Sequence, residues 1–338
     1  MGTFSPDLVS GIIIRSRVRL ARNLRDYPFK VKSDADAHEI VKKVNRALVK
    51  AGTFNLYFIS NLSGLKLEAM KEKYLISQNL IDNGEFGAVL INSDESVSVM
   101  VHEEDVIREQ CFMKGLRLSE AYKRLTQIDD ELAKNLDIAY SERFGYLTAC
   151  TTNVGTGLRA SVMLFLPALT LSGKIKRIAG EIAEYGLTVR GAYGEGSTAE
   201  GYAYQISNEV TLGVSEYEII KRVEDAVSSI CELERSETAR IFGKTELKTM
   251  DRVKKAFGVL TNAVLLPYNE FLTHISEVKL GANLGLIDFK DVGEIDDLIV
   301  NVRPAILCEQ YGKRLSETDR DLLRAEIVGK KLLKIKEN

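Results

Sequence analysis

The chain has 338 residues, 45% of them hydrophobic, with a net charge of −2, four cysteines and three histidines. This is enough apolar material for one large core or two ordinary ones, and too balanced a charge to require nucleic acid or an anionic membrane as partner. No run of about 18 uncharged apolar residues occurs, Met1 to Asp7 lack the basic and apolar parts of a secretory signal, and Cys111, Cys150, Cys231 and Cys308 have no Cys-x-x-Cys spacing. A globular protein with reduced thiols and a cytoplasmic location is expected, without a disulfide framework or a zinc site.

In chain order, the β-branched stretch Ile12 to Arg19 predicts a strand, and period two sets Arg15, Arg17 and Arg19 on one face, with Arg22 and Arg25 following. Three guanidinium groups on one face repel unless an anion or carboxylates lie over them, and the planar fork of arginine matches phosphate oxygens. A solvated edge strand guarded by charge has the same pattern. Helical periodicity follows over Ala35 to Ala51, then strands over Asn55 to Ile59, Ala88 to Ile91 and Ser96 to Val101, the last two joined by the polar turn Asn92-Ser93-Asp94-Glu95.

At the end of that strand stands His102-Glu103-Glu104-Asp105, with Arg108 just beyond. Such a cluster either faces water, grips a cation and takes its proton, or holds a divalent metal, although it lacks a spaced set of further ligands. A helix over Leu118 to Leu136 and a strand over Gly145 to Ala149 lead to Cys150-Thr151-Thr152-Asn153-Val154-Gly155-Thr156-Gly157-Leu158-Arg159. Here a thiol, hydroxyls, a glycine turn and an arginine lie close together, which suits an anionic ligand beside a reactive group; each residue alone is also ordinary core, turn or surface.

A helix over Ile175 to Tyr185 and strands over Thr188 to Tyr193 and Tyr204 to Ser207 flank a glycine-rich loop, Arg190 to Ser197, which brings Glu195 between two glycines. It is not Gly-x-Gly-x-x-Gly, and the chain has no Walker motif. Short strands, a hairpin and few helices predict an α+β unit built on an antiparallel sheet flanked by helices. After about Gly213 the pattern becomes helical, over Ser215 to Ile241, Glu246 to Val259, Tyr268 to Leu280 and Ser316 to Lys334. The first of these helices can pack on the sheet, so the division is placed near Gly243, giving units 1–242 and 243–338.

Two separated glutamates, one cysteine and several arginines, with only His102 near any of them, disfavour a Cys-His hydrolase. A guanidinium substrate together with a nucleotide would use both sets, carboxylates for the first and arginines for the second.

On these residues the chain resembles the phosphagen (guanidino) kinase superfamily, and within it the bacterial protein-arginine kinase (McsB-type) branch. Ser16-Arg17-Val18-Arg19, His102 to Asp105 with Arg108, Cys150 to Arg159 followed by Ala160-Ser161-Val162-Met163, and Arg190 to Glu195 occur in the family's order. The resemblance implies a guanidino kinase core in which Arg17, Arg19, Arg108, Arg159 and Arg190 bind ATP phosphates, Mg²⁺ bridges them, Glu104 and Glu195 orient the guanidinium, and Cys150 touches it as a thiolate. Tyr74 and Met163 stand where many relatives have histidine near adenine, and Thr151 replaces the usual proline, restoring a backbone N–H. Thr152 is left as a hydrogen-bond donor to the sulfur.

The first arginine motif lies almost at the N-terminus, and the later helices resemble the branch's C-terminal domain, where Arg320 would hold a phosphoarginine's phosphate and Asp321 its guanidinium. An ordinary salt-bridged helix face has the same spacing. The implied activity is ATP-dependent phosphorylation of arginine in proteins, marking them for stress response or degradation. Implied partners are protein substrates, a second copy in a homodimer, a zinc-binding activator, a Clp ATPase and a stress repressor. Phosphorylation of free arginine or another small guanidine, and non-catalytic phosphoarginine binding, are the alternatives.

Overall fold

The computed structural model describes residues 11–191, 200–242 and 246–336. Eight strands form one antiparallel sheet, in spatial order β2 (Phe54–Phe58), β3 (Ala88–Asn92), β4 (Val97–Val101), β5 (Ile107–Lys114), β1 (Ile13–Arg22), β8 (Leu158–Phe165), β10 (Ala203–Asn208) and β9 (Leu187–Gly191). A small hairpin, β6 (Tyr140–Ser141) with β7 (Gly145–Tyr146), lies apart from it. The arginine-bearing strand β1 is therefore central, paired with β5 on one side and β8 on the other.

Neither neighbour of β1 is among the strands expected from the sequence. In β5 the run Arg108-Glu109-Gln110 breaks any apolar alternation, yet Glu109 and Gln110 are buried. In β8, Arg159 and Ser161 near its start leave a short, mainly apolar run that periodicity alone does not assign. The strand expected over Gly145 to Ala149 is only the two residues of β7. The hairpin turn at Asn92 to Glu95 forms as expected, closed by Glu95 N–H donating to the Asn92 carbonyl at 3.1 Å.

One face of the sheet carries Val18, Leu20, Ile107, Cys111, Val162, Leu164 and Ile206 into the main core. It is covered by α1 (Asp34–Leu48), α4 (Leu118–Asn135) and the long α7 (Glu216–Phe242). Helix α1 starts where the Ser33 hydroxyl accepts from Asp36 N–H, and it buries Ala37, Ile40, Val41, Val44 and Leu48, the stripe of a 3.6-residue period. Arg22 has the opposite parity to Arg15, Arg17 and Arg19, so it points into this core. There it pairs with Asp129 at 2.8 Å, and its guanidinium lies 3.5 Å over the Tyr146 ring.

The other face is covered around Phe165 by Leu280 and Leu284 and, separately, at the β2 end. There α2 (Gly64–Glu72), α3 (Gln78–Asp82) and the segment between them set Met70, Leu75 and Leu80 on Val89, Ile91 and Met100. Beyond β8, α5 (Pro167–Leu171) and α6 (Ile175–Ala183) lead to the edge strand β9.

From residue 246 the described elements are helices: α8 (Glu246–Asn262), α9 (Tyr268–Asn283), α10 (Gly293–Asn301), α11 (Pro304–Gln310) and α12 (Glu317–Ile335). They enclose a second core around Leu260, Phe271, Ile275, Ile295, Val328 and Leu332. This bundle leans on the sheet domain through α11, whose first amides, Ala305 at 2.9 Å and Ile306 at 3.0 Å, donate to the Glu72 carboxylate at the end of α2. A carboxylate at a helix N-terminus is favoured by both the free amides and the dipole. The division expected near Gly243 falls on 243–245, outside the described residues.

Candidate functional site

Strand register brings the separated arginines together. Residues directly opposed on antiparallel strands share a face, and Arg19 is opposed to Arg159, Ala21 to Arg108, Arg15 to Met163, and Gln205 to both Met163 and Arg190. Arg15, Arg17, Arg19, Arg108, Arg159 and Arg190 therefore project from the same face, the one opposite the main core. Arg17 donates to Gln205 Oε1 and Arg159 to Ser207 Oγ, both at 3.1 Å. The Nε atoms of Arg19 and Arg159 are buried without a hydrogen-bond partner among the described residues.

The cluster is compensated only in part, by Glu103 beside Arg108. Burial, then repulsion from Arg15 and Arg108, pulls Arg17 down to about 9. Burial together with Arg17 and Arg108 pulls Arg19 well below its ordinary value, and burial with Arg190 lowers Arg159. A guanidinium keeps its proton in practice, so the effect is stored as repulsion and as lost hydration. A polyanion over this face relieves both. The residues present thus fit the phosphates of a nucleotide.

The acidic turn divides its labour in a way the sequence does not reveal. Glu103 is buried and ion-paired with Arg108, and its backbone carbonyl accepts from Asn83 Nδ2 at 2.9 Å. Burial would raise its pKa, but Arg108, Ser77 and the Glu104 amide more than offset this, leaving it below the usual carboxylate range. Asp105 is also buried and takes Asn23 Nδ2 at 2.7 Å and the Ala149 amide at 2.6 Å. Glu104 alone is exposed, and among the described residues its carboxylate has no partner.

Asp105 also fixes the second half of the site. Because it holds the amide before Cys150, Glu104 and Cys150 are each one residue from the same buried hydrogen bond. Beyond Cys150 the chain makes a tight return into β8. Gly157 has φ +63°, and a Cβ there would lie 2.6 Å from the Ala21 carbonyl oxygen. Thr211 Oγ1 pins the loop by donating to the carbonyls of Thr152 at 2.9 Å and Val154 at 2.7 Å. Cys150 Sγ is 3.1 Å from Thr152 Oγ1, the hydroxyl expected to remain available to the sulfur. A cavity of about 120 Å³ is lined by Arg19, Glu103, Glu104, Arg108, Cys150 and Arg159.

Arg17 and Arg190 stand on the same face outside that cavity, Arg190 exposed on the edge strand. Glu195 lies outside the described residues. Tyr74, with φ +63°, is not open on both sides: the guanidinium carbons of Arg15 and Arg303 lie 4.2 and 4.7 Å from its ring centroid. Arg303 belongs to the C-terminal bundle and carried no sequence signal. Asn23, Ser77, Gln205 and Ser207 position site residues and were equally silent, since each is a common polar residue whose partner is distant in sequence.

Arg320 and Asp321 lie in the first turns of α12. Asp321 Oδ1 already takes a guanidinium of this chain, that of the buried Arg324, at 2.6 Å. Arg324 also donates to the carbonyls of Leu266 at 2.7 Å and Val302 at 3.0 Å. Arg320 donates to the Leu315 carbonyl at 3.0 Å and is half-buried.

Among known proteins, the family profile described as ATP:guanido phosphotransferase, C-terminal catalytic domain, matches residues 36–237. The profile of the protein-arginine kinase McsB C-terminal domain matches residues 246–338. The protein-arginine kinase of Halothermothrix orenii is 44% identical over 324 residues, 95% of this chain and 93% of that protein. That of Brevibacillus brevis is 40% identical, over 96% and 92%. Of solved structures, the duplicated taurocyamine kinase of Schistosoma mansoni with bound transition-state analogue components is 27% identical with a TM-score of 0.61, covering 69% of this chain and 34% of that one. Lombricine kinase shares the fold at a TM-score of 0.60 over 68% of each chain. With a profile spanning more than half its length and relatives above 40% identity over nearly all of it, the chain belongs to the ATP:guanido phosphotransferase family.

Proposed function

We propose that this chain transfers the γ-phosphoryl group of ATP to a guanidinium nitrogen of arginine side chains in proteins. The observation that carries the reading is the juxtaposition, in one cavity, of unpartnered arginine donors and an unpartnered glutamate. Names of the relatives and the match to the C-terminal profile support an arginine in a protein as acceptor.

In this reading Arg19, Arg108 and Arg159 hold the phosphates and balance the equatorial oxygens, with Arg17 and Arg190 extending the cation field and Tyr74 beside the base. Magnesium, arriving on the nucleotide, would neutralise charge between its phosphates. A guanidinium, with a pKa of roughly 12.5 to 13.8, is a poor nucleophile until a proton leaves. Glu104 takes that proton and localises the remaining charge, Cys150 lies against the guanidinium, and Glu195 is assigned the second orienting role. As the N–P bond forms, the bond from phosphorus to the ADP oxygen breaks in line, so positioning and charge balance do most of the catalytic work.

The proposed division is a catalytic unit over 1–242 and a phosphoarginine-recognising unit over 243–338, with Arg320 and Asp321 as the recognising pair. A cytoplasmic setting is part of the proposal, as are a homodimer and partners of the zinc-binding activator, Clp ATPase and stress-repressor types. No described helix is long and apolar enough to cross a membrane. Incubation with ATP, Mg²⁺ and an unfolded arginine-containing protein tests the reading: acid-labile phosphoarginine in the product is expected. Its absence sinks the proposal, and equal turnover of free arginine shifts it toward a small-guanidine kinase.

A further inference from the structure

The cavity at Glu104 is small, and Glu103 forms one of its walls. On the far side of that residue lies a groove of about 430 Å³, within the roughly 300–1,000 Å³ of sites that hold a drug-sized ligand. Glu103 lines both spaces, with His102 on the groove side and Glu104 and Asp105 on the cavity side. The partition is rigid: the Glu103 side chain is locked to Arg108, and its carbonyl to Asn83.

We propose that this groove holds the polypeptide flanking the target arginine and reads the charge of its side chains. The inference rests on the protein-arginine kinase reading above and names a subsite for that acceptor. Phe29 and Phe86, both half-buried, give the groove an apolar floor. On the segment that follows β1, Lys30 and Lys32 are exposed, and among the described residues their side chains make no hydrogen bond or ion pair. Facing them in the lining are Asp82 and Glu85 at the end of α3.

Lysines on one side and carboxylates on the other do not suit a nucleic acid, whose uniform charge would be repelled by one of them. They suit an extended polypeptide, whose successive side chains point to opposite sides. A residue next to the arginine is then read by the lysines and its neighbour by the carboxylates. A free guanidino compound would fill only the small cavity and leave the groove unused, so a groove adjoining that cavity across Glu103 favours a chain as occupant.

The test uses the full-length protein and synthetic peptides with one arginine among alanines, in which glutamate or lysine is placed in turn at the two positions on each side. The wild type is expected to prefer glutamate over lysine at one position by about fivefold in kcat/KM, the upper range for a partly exposed ion pair. The variant K30E/K32E, whose exposed positions leave the melting temperature unchanged, is expected to reverse that preference while the KM for ATP stays the same. An identical preference in wild type and variant, or none in either, overturns the inference with the kinase reading intact. If the wild type phosphorylates arginine in no peptide and in no unfolded protein, the kinase reading fails first and the groove assignment falls with it.

Discussion

Arg303, from the loop before α11, donates to the Tyr74 hydroxyl at 2.7 Å and lies over the same ring that carries Arg15 on β1. One residue of the C-terminal bundle thus sets the tyrosine that borders the arginine-bearing face. Burial pushes the Tyr74 phenol up, but Arg303 and Arg15 more than offset this and leave it below its ordinary value. Arg303→Ala is expected to raise the KM for ATP about tenfold, the scale of a lost charge-assisted hydrogen bond, with a smaller change in kcat. Steady-state kinetics at varied ATP checks this, and no change in KM would show that the contact only joins the two units.

The acidic turn makes a paired prediction. Glu104→Gln removes a carboxylate without structural partners, so the melting temperature should hold while phosphoryl transfer falls by about 10²–10⁴, the range for a lost general base. Glu103→Gln loosens Arg108 and should lower both stability and nucleotide affinity. Calorimetry and a phosphoarginine assay on the two variants separate the roles; equal melting losses in both would remove the distinction.

The repulsion stored among the arginines predicts opposite effects on stability and binding. Arg159→Ala should raise the melting temperature of the nucleotide-free protein, because a like-charged neighbour directly across from Arg19 is gone. ATP affinity should fall by about tenfold or more. Tripolyphosphate should stabilise the wild type more than the variant in thermal shift measurements.

In α12, loss of the structural partner of Asp321 and loss of Arg320 should have different effects. Arg324→Ala leaves the Asp321 carboxylate without its buried partner and should destabilise the fold by about 3–5 kcal/mol. Arg320→Ala touches only one backbone carbonyl and should melt like the wild type while losing affinity for a phosphoarginine peptide. Retained affinity would place phosphoarginine recognition elsewhere.

Glu234 in α7 gives a pH prediction. Burial raises its pKa to about 7, partly offset by the amides of Leu169 and Ala168 that donate to it. The folded value lies above the unfolded one of about 4.3, so between them the folded state binds more protons and stability falls as pH rises. Glu234→Gln removes this dependence. Its stability relative to wild type should rise by about 1.4 kcal/mol for each pH unit between those values, and a flat difference in denaturant melts from pH 5 to 7 would contradict the assignment.

Much of the site was legible because its residues carry local signals. Alternation placed Arg15, Arg17 and Arg19 on one face, and the turn at Asn92 and the main helices followed from polar and apolar spacing. Strands β5 and β8 were not legible: Glu109 and Gln110 are polar residues buried by the tertiary structure, and a short, mainly apolar run such as Ala160 to Phe165 has no period of its own. Nor does local chemistry say which of three adjacent carboxylates is free.

The sequence by itself determined the inventory, an antiparallel α+β unit followed by helices, with arginines, glutamates and a cysteine suited to a guanidinium and a nucleotide. Tertiary structure decided the assignment of each group. Glu103 and Asp105 became structural because Arg108, Asn23 and the Ala149 amide are brought to them, whereas Glu104 was left open. The reason is that charge and hydrogen-bond satisfaction depend on distances between residues far apart in the chain, which local periodicity does not encode.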